Sequence, residues 1–219
     1  MFIGILSFLI WSSGFFYNGI HAIILHFIGA YYSFITAHDA AHRIVSPWLG
    51  RMACVPLGIP FDDFAILHRR HHQYTNCPNR DPDYIMQTLT PLHWLFAPEI
   101  YVTHYLRKSS DLPKSAQCFG AFRYLLVIFV YILSTITIGF RWTFTHLIIP
   151  TRLAFMLLVY LLDVLPHRNL PQMQTRDLWN EDQAPLWLRV LTQNQCYHER
   201  HHKKPHIRTL DLHTMTSTT

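Results

Sequence analysis

Nine of the sixteen histidines in the chain stand in patterns that could hold a metal. His68, His71 and His72 are spaced i, i+3 and i+4, and His198, His201 and His202 repeat that spacing. His38 and His42 form an i, i+4 pair, and His167 stands alone after a long apolar run. Residues three and four apart on a helix share one face, with Cβ atoms about 5–6 Å apart. Each group could therefore direct its imidazoles at one metal cluster.

The histidines alone do not choose the metal. Imidazole binds zinc, copper, iron and nickel, and zinc sites commonly use three or four protein ligands. Nine histidines exceed one such site. The competing interpretation places these histidines on solvated helix faces, which leaves the repeated spacing unexplained.

Three further residues are candidates for a metal ligand or for a hydrogen-bond partner of one: Asp39, Asp163 and Asn194. Metal-bound histidines usually donate their second N–H to an oxygen acceptor. Asp163 lies four residues before His167 in an otherwise apolar stretch, where a carboxylate is costly. Asp39 and Asp163 could equally be helix-end carboxylates at a membrane interface.

Asp81 and Asp83 follow the central histidines in a turn-rich loop. They either orient imidazoles or arginines, or cap the helix that follows. Cys77 and Cys196 lie near histidine groups, and we interpret them as packing residues, since buried free cysteine usually behaves as a small hydrophobe.

Two apolar blocks must position these residues. No Asp, Glu, Lys or Arg precedes His38, and only three arginines interrupt residues 119–162. A bilayer core of about 30 Å needs ~20 apolar residues as helix, and each block is about twice that length. We therefore predict an all-α membrane protein with four spans in two hairpins, at about residues 1–17, 19–38, 119–140 and 143–163.

The first of these spans has only ~16 residues, against the usual ~17–25. We expect the chain either to begin inside a longer native helix or to be a trimmed form. Arg152 would lie within the membrane, where it either snorkels or faces a polar cavity.

Basic residues predict the orientation. Fifteen of the eighteen lysines and arginines lie between the blocks or after the second one. By the positive-inside rule these regions, residues 39–118 and 164–219, are cytoplasmic. All three histidine groups then form a helical cap on the same face, and residues 1–219 form a single domain.

The motifs HDAAH, HRRHH with a downstream DPD, DVLPHR and QNxxYHERHH, in this order, resemble the membrane fatty acid desaturase superfamily. They look most like its bacterial branch, which includes carotenoid ketolases and hydroxylases. The resemblance spans roughly residues 38–205 and implies two irons bound by the nine histidines named above. It also implies that Asp163 occupies the place from which an oxygen or amide side chain approaches one iron in some members.

The resemblance implies an oxidoreductase that uses dioxygen and introduces a double bond into a fatty acyl chain. The alternatives are a carotenoid hydroxylase or ketolase of the same superfamily, and a non-redox, histidine-rich zinc membrane protein. The expected partners are a lipid substrate, the membrane and an electron donor such as a ferredoxin or a small cytochrome, with no nucleic acid.

Overall fold

A computed structural model describes residues 2–109, 114–179 and 181–215. Within these residues every regular element is helical and no strand occurs. The α-helices are α1 (Phe2–Ser13), α2 (Gly19–Ala41), α3 (Pro47–Leu57), α4 (Phe61–Tyr74), α5 (Tyr84–Gln87), α6 (Pro91–Trp94), α7 (Ala97–Ser109), α8 (Lys114–Ile138), α9 (Phe140–His167), α10 (Leu186–Leu191) and α11 (His198–Lys203). Short 3₁₀ turns cover Gly14–Phe16, Gln195–Tyr197 and Thr209–Thr214. The all-helical prediction is confirmed for the described residues.

Two helices are long and apolar enough to cross a membrane, α2 and α9. Phe2–Phe16 and Leu125–Ile138 are shorter apolar helical stretches. The breaks between α1 and α2 and between α8 and α9 lie at Gly19 and Gly139, which adopt positive φ angles of 58° and 107° that L side chains rarely take. By length and composition only two of the described helices could cross a membrane, so the four predicted spans remain a proposal.

Helices α1 and α2 pack closely through small residues. A Cβ added at Gly29 of α2 would lie 2.5 Å from the backbone nitrogen of Trp11, and one at Gly4 of α1 would lie 2.5 Å from Thr36. The two helices can approach this closely only because these positions lack a side chain.

Helix α3 connects the α1–α2 pair to the central histidines. Ser46 caps it by accepting from Trp48 N–H at 3.3 Å, and Gly58 ends it in the left-handed conformation. A Cβ at Gly50 would lie 2.2 Å from Phe61 and 2.6 Å from Ala40. This close packing places α4 beside the carboxyl end of α2, where the first histidine pair lies.

The chain after α9 forms a small unit with its own apolar core, built from Ala184, Leu188, Cys196, Tyr197, Leu212 and Met215. Gln193 is one of the residues that attach this unit to α2. The Gln193 side-chain amide accepts from Ile35 N–H at 3.0 Å and donates to the Tyr31 carbonyl at 2.7 Å. These two backbone groups lie about one and two helical turns before His38, so the contact fixes the last histidine group relative to the first.

Candidate metal centre

The nine predicted histidines lie together at one end of the helical bundle. Ligand-capable nitrogens of His38, His42, His68, His72 and His201 lie within 4.8 Å of one another, and those of His71, His167, His198 and His202 form a second such group. The two groups adjoin, since the rings of His72 and His202 stack with centroids 4.0 Å apart. The pair His38 and His42 belongs entirely to the five-histidine group. Each of the two i, i+3, i+4 groups is divided between the clusters, because the i+3 side chain points in a slightly different direction from those at i and i+4.

The Nε2 atoms of these rings face one another. In the five-histidine group, His42 and His68 approach at 3.0 Å, His68 and His72 at 3.3 Å, and His72 and His201 at 3.0 Å. In the four-histidine group, His198 Nε2 lies 2.7 Å from that of His167 and 3.1 Å from that of His202.

Hydrogen bonds at Nδ1, on the opposite side of the ring, support this arrangement for five of the nine histidines. Nδ1 of His71 lies 2.8 Å from Asp81 Oδ1, and Nδ1 of His38 lies 3.1 Å from Thr209 Oγ1. Further Nδ1 partners are Asn76 Oδ1 for His167, Gln195 Oε1 for His198 and Thr75 Oγ1 for His202. An acceptor at Nδ1 places the single proton of a neutral imidazole there, which leaves the Nε2 lone pair free for a metal.

The donor set fits a metal better than it fits a hydrogen-bond network. If Nε2 carries only a lone pair, neighbouring Nε2 atoms at about 3 Å cannot satisfy one another. Buried polar groups without partners are costly, and a cation between the nitrogens removes that cost. Nδ1 of His72 and of His201 are also buried without a partner among the described residues.

Nearby carboxylates make the charge of His71 differ from that of the other rings. Burial by itself would lower the pKa of His71, but the carboxylates of Asp81 and Asp83 raise it to about 9. Burial and the neighbouring histidines instead lower the pKa of His42 to about 2, and hold those of His68, His72 and His201 well below 6.5. These four rings are therefore neutral at physiological pH, as metal ligands must be, whereas His71 carries a proton that a metal would have to displace.

The helix that carries His167 is irregular shortly before that residue. Helix α9 contains π turns at Thr143–Ile148 and Tyr160–Val164, and the second ends three residues before His167. Such turns are rare and occur frequently at functional sites. The π turn changes the phase of α9 and so contributes to the direction in which His167 points.

The three further candidates occupy different places. Asp39 accepts from Thr209 N–H at 3.1 Å and from the Thr209 hydroxyl at 2.5 Å, so it supports His38 through that hydroxyl. Asp163 lines a narrow cleft next to His71 and His198 but is not among the converging ligand groups. Asn194 binds Arg189 Nε and the Leu210 carbonyl, and its neighbour Gln195 contacts His38 and His198.

Several residues of the site were not singled out by sequence. Gln195, Thr209 and Asn76 carry no spacing signal. Asn76 accepts from Gln87 at 2.5 Å, contacts His167 and donates to the Gln174 carbonyl at 2.7 Å. A single side chain thus holds α5, α9 and the following loop together around one ligand.

An apolar cleft of about 40 Å³ adjoins both histidine groups. Seven of its fourteen lining residues are aromatic or aliphatic and the others are polar, and the Phe64 ring stacks on His68 with centroids 5.2 Å apart. The lining residues are Phe34, His38, Phe64, His68, His71, Asp83, Tyr101, Phe155, Leu158, Val159, Leu162, Asp163, Gln195 and His198. A narrow apolar cleft suits an unbranched hydrocarbon more than a polar metabolite.

The model of the fatty acid desaturase family matches residues 13–217, which include every element described above except most of α1. The chain belongs to the fatty acid desaturase family. The predicted membership is therefore confirmed.

A curated relative supports the same assignment within this desaturase family. The sn-1 oleoyl-lipid 12-desaturase of Picosynechococcus sp. (strain ATCC 27264 / PCC 7002 / PR-6) is 26% identical to this chain in an alignment 233 positions long that covers 82% of the chain. The chain spans 62% of the length of that desaturase. No solved structure matches the chain.

Proposed function

We propose that this chain is a di-iron, dioxygen-dependent desaturase that introduces a double bond into a fatty acyl chain. The observation that carries the proposal is the convergence of nine imidazoles on two adjoining groups beside an apolar cleft. Family membership supports lipid desaturation, and the oleoyl-lipid desaturase is similar at low identity.

We assign the first iron to His38, His42, His68, His72 and His201, and the second to His71, His167, His198 and His202. Two irons bound there would supply the dioxygen chemistry needed to remove hydrogen from an unactivated CH₂ group, which redox-inert zinc cannot supply. The chain's own residues hold the tautomers of five ligands through Nδ1, keep water from the site with apolar side chains, and position the acyl chain.

Positioning decides the outcome of the reaction. Abstraction from two adjacent carbons gives an alkene, whereas return of oxygen to the first carbon gives an alcohol. A misplacement of 1 Å can change a rate by ~100-fold. The unbranched, narrow cleft between Phe34, Phe64 and Leu158 favours an extended acyl chain over a substituted ring.

Metal analysis tests the first part of the proposal. The protein purified from cells supplied with iron and zinc should carry close to two irons per chain. His42→Ala and His167→Ala should each lower the iron content, since each removes a ligand of a different group. His93→Ala, at an exposed histidine of α6, is the matched control. Stoichiometric zinc without iron would support the non-redox alternative instead.

Deuterium labelling tests the reaction. An expressing host fed a deuterated acyl chain should yield an alkene that has lost deuterium from two adjacent carbons. An unchanged acyl profile together with oxygenated carotenoids in a carotene-producing host would assign the chain to the carotenoid alternative.

The proposed topology places α1, α2, α8 and α9 across the membrane and the histidine cap in the cytoplasm. Large apolar side chains are exposed on these helices, among them Leu9, Ile24, Phe129 and Ile136. A His206→Cys variant lacking the native cysteines should react with an impermeant thiol reagent only after the membrane is opened. Labelling in intact cells would reverse the proposed orientation.

We further propose that electrons come from a separate acidic carrier, such as a ferredoxin or a small cytochrome. The regions that surround the histidines carry fifteen of the chain's eighteen lysines and arginines. Complementary charge accelerates association and is weakened by salt. Turnover with a ferredoxin should therefore fall as ionic strength rises, and a salt-independent rate would exclude this mode of docking.

A further inference from the structure

Helix α10 exposes an apolar face that the metal centre does not use. Leu186, Trp187 and Val190 are 71%, 63% and 50% exposed, whereas Leu188 between them is buried in the core of the unit after α9. Arg189 is the only charged residue of this helix. Contiguous exposed apolar side chains of this size mark a surface that lipid or another molecule covers.

The contacts of α10 with α2 indicate what covers this face. The Tyr31 hydroxyl donates to the Leu191 carbonyl, and the Tyr32 hydroxyl donates to the next carbonyl back at 3.4 Å. Both tyrosines belong to α2, which is long and apolar enough to cross a membrane. They lie seven and six residues before His38, a rise of roughly 10 Å at ~1.5 Å per residue. The carboxyl end of α10 therefore lies beside the membrane-spanning part of α2.

A groove connects α10 with the outer surface of α1 and α2. Its volume is about 270 Å³, and its walls include side chains of all three helices: Ile3, Ile35, Leu186 and Val190. Beside the groove, α1 exposes Phe2 and Leu6. The apolar face of α10 is therefore continuous with the surface that α1 and α2 present to lipid in the proposed topology.

The last four carbonyls of α10 all have partners within the protein. A helix cannot satisfy these four groups by itself. From Leu188 to Leu191 in order, their partners are the N–H groups of Thr192, Asn194 and Gln193, at 2.8, 2.7 and 3.3 Å, and the Tyr31 hydroxyl. Water can supply such bonds at an exposed helix end, but inside a bilayer the protein must supply them. This end of α10 can therefore lie where water does not reach.

We propose that α10 is embedded in the cytoplasmic leaflet of the bilayer, with Leu186, Trp187 and Val190 among the lipid chains. An amphipathic helix in this position buries its apolar face about 5–10 Å into the boundary between headgroups and chains. Tryptophan and tyrosine are enriched at that depth, and Arg189 adds the positive charge that anionic headgroups attract. The placement rests on the proposed topology and refines it, since that topology puts the whole chain after α9 in the cytoplasm.

The embedded helix also connects the bilayer with the metal centre. Gln193 and Gln195 follow α10 directly in the chain. Gln193 binds two backbone groups of α2, and Gln195 contacts His38 and His198. A bilayer that holds α10 therefore also holds the loop that supports a ligand of each histidine group.

Nitroxide labels test this placement without turnover and without metal. Trp187→Cys and Val190→Cys, each in a background that lacks the native cysteines, are labelled and reconstituted in phosphatidylcholine nanodiscs. Oxygen concentrates in lipid, whereas a charged nickel chelate stays in water. Both labels should collide mainly with oxygen, as should a label at Ile24→Cys on the exposed face of α2. A label at His206→Cys, at an exposed residue of the same unit as α10, should collide mainly with nickel.

The other outcomes contradict the proposal in distinguishable ways. Nickel collisions at Trp187 and Val190 as frequent as at His206 would place α10 in water. Few collisions with either reagent would mean that protein, such as a second copy of the chain, covers the face. Nickel access at Ile24 would refute the proposed topology itself, whereas nickel access at Trp187 with Ile24 protected would refute the embedding of α10 alone.

A second measurement keeps the native cysteines. Phosphatidylcholine with brominated acyl chains quenches the fluorescence of tryptophans that contact lipid. Trp187→Phe should lower the fraction of the fluorescence that is quenched, whereas Trp179→Phe, at a half-buried tryptophan packed on the core of the same unit, should not lower it. Equal elution profiles establish that both variants are folded. Quenching in folded Trp187→Phe that equals that of the native protein would overturn the proposal.

Discussion

Nδ1 of His71 lies 2.8 Å from Oδ1 of Asp81, and both side chains are almost fully buried. Asp81 also accepts from the backbone N–H groups of Asn76 and Asp83, at 2.7 and 2.8 Å. Backbone groups of the loop therefore hold the Asp81 carboxylate in place beside the His71 ring. This single contact determines the tautomer of His71 and directs its Nε2 at the four-histidine group.

Replacement of Asp81 by asparagine should weaken metal binding. The amide keeps the size of the carboxylate and one acceptor, but it removes the negative charge that makes His71 a stronger ligand. Loss of such a supporting partner typically lowers metal affinity by ~10–100-fold. Iron per chain, measured against competing chelator, should fall accordingly in Asp81→Asn.

The control for this variant is Asp211→Asn, which removes an exposed carboxylate of the same chain. It should bind iron as the native protein does. Equal iron affinity of Asp81→Asn and Asp211→Asn would mean that the His71–Asp81 contact has no part in metal binding.

Acid should destabilise the metal-free protein. Burial and nearby histidines lower the pKa of His42 to about 2 and hold those of His68 and His72 well below 6.5. These histidines take up protons near pH 6.5 in the unfolded chain but stay neutral in the folded protein. The free energy of unfolding is therefore not reduced by them above pH 6.5, and it falls as the pH drops below that value. His71, with its pKa raised to about 9, has the opposite sign: its contribution is present below 6.5 and lost as the pH rises through about 9.

Because the lowered rings outnumber the raised one, the midpoint of thermal unfolding should drop between about pH 7 and about pH 5. His42→Asn should flatten this dependence, and His206→Asn, at an exposed histidine, should leave it unchanged. A midpoint that is constant across this range would show that the rings are not held neutral by burial.

The histidine groups could be predicted from sequence because helical spacing is a local property. His68, His71 and His72 belong to one helix in the structure, as the i, i+3, i+4 pattern requires. What spacing does not contain is which ring joins which cluster. His71 and His72 are adjacent in sequence yet belong to different groups, since successive helical residues point about 100° apart.

The supporting contacts could not be predicted because they join residues far apart in the chain. Thr209 lies 171 positions after His38, and Gln193 lies 158 positions after Ile35. Both contacts depend on how the unit after α9 packs against α2, a matter of tertiary packing. Asn194, which the sequence suggested, is displaced by one residue from Gln195, which contacts two ligands.

Thr209→Val should disturb the first histidine pair with almost no change in side-chain volume. The hydroxyl donates to Asp39 at 2.5 Å and is the partner of His38 Nδ1 at 3.1 Å. Valine removes the hydroxyl donor to the buried Asp39 carboxylate, and the loss of such a hydrogen bond costs about 1–3 kcal/mol. Both the unfolding midpoint and the iron content should fall, whereas Thr214→Val, at an exposed threonine, should change neither.

An isosteric valine that left iron content and stability intact would show that Asp39 and His38 are satisfied without the hydroxyl. The double variant Asp39→Asn/Thr209→Val distinguishes a coupled pair from two separate effects. If the contact acts as a unit, the double variant should lose less than the sum of the single losses.

The Gln193 contact predicts different results for two substitutions of similar size. Gln193 binds the Tyr31 carbonyl and the Ile35 N–H, two backbone groups that can also pair with each other within α2. Gln193→Leu therefore removes the attachment but lets the helix satisfy itself, so its cost should stay near the ~1 kcal/mol of a typical hydrogen bond. Gln193→Glu still accepts from Ile35, but it turns a buried carboxylate oxygen toward the Tyr31 carbonyl, and this should cost more.

The midpoint of thermal unfolding should be highest for the native protein, lower for Gln193→Leu and lowest for Gln193→Glu. Gln183→Glu, at an exposed glutamine, is the matched control. The reverse order of the two variants would mean that the glutamine amide does not bridge these backbone groups.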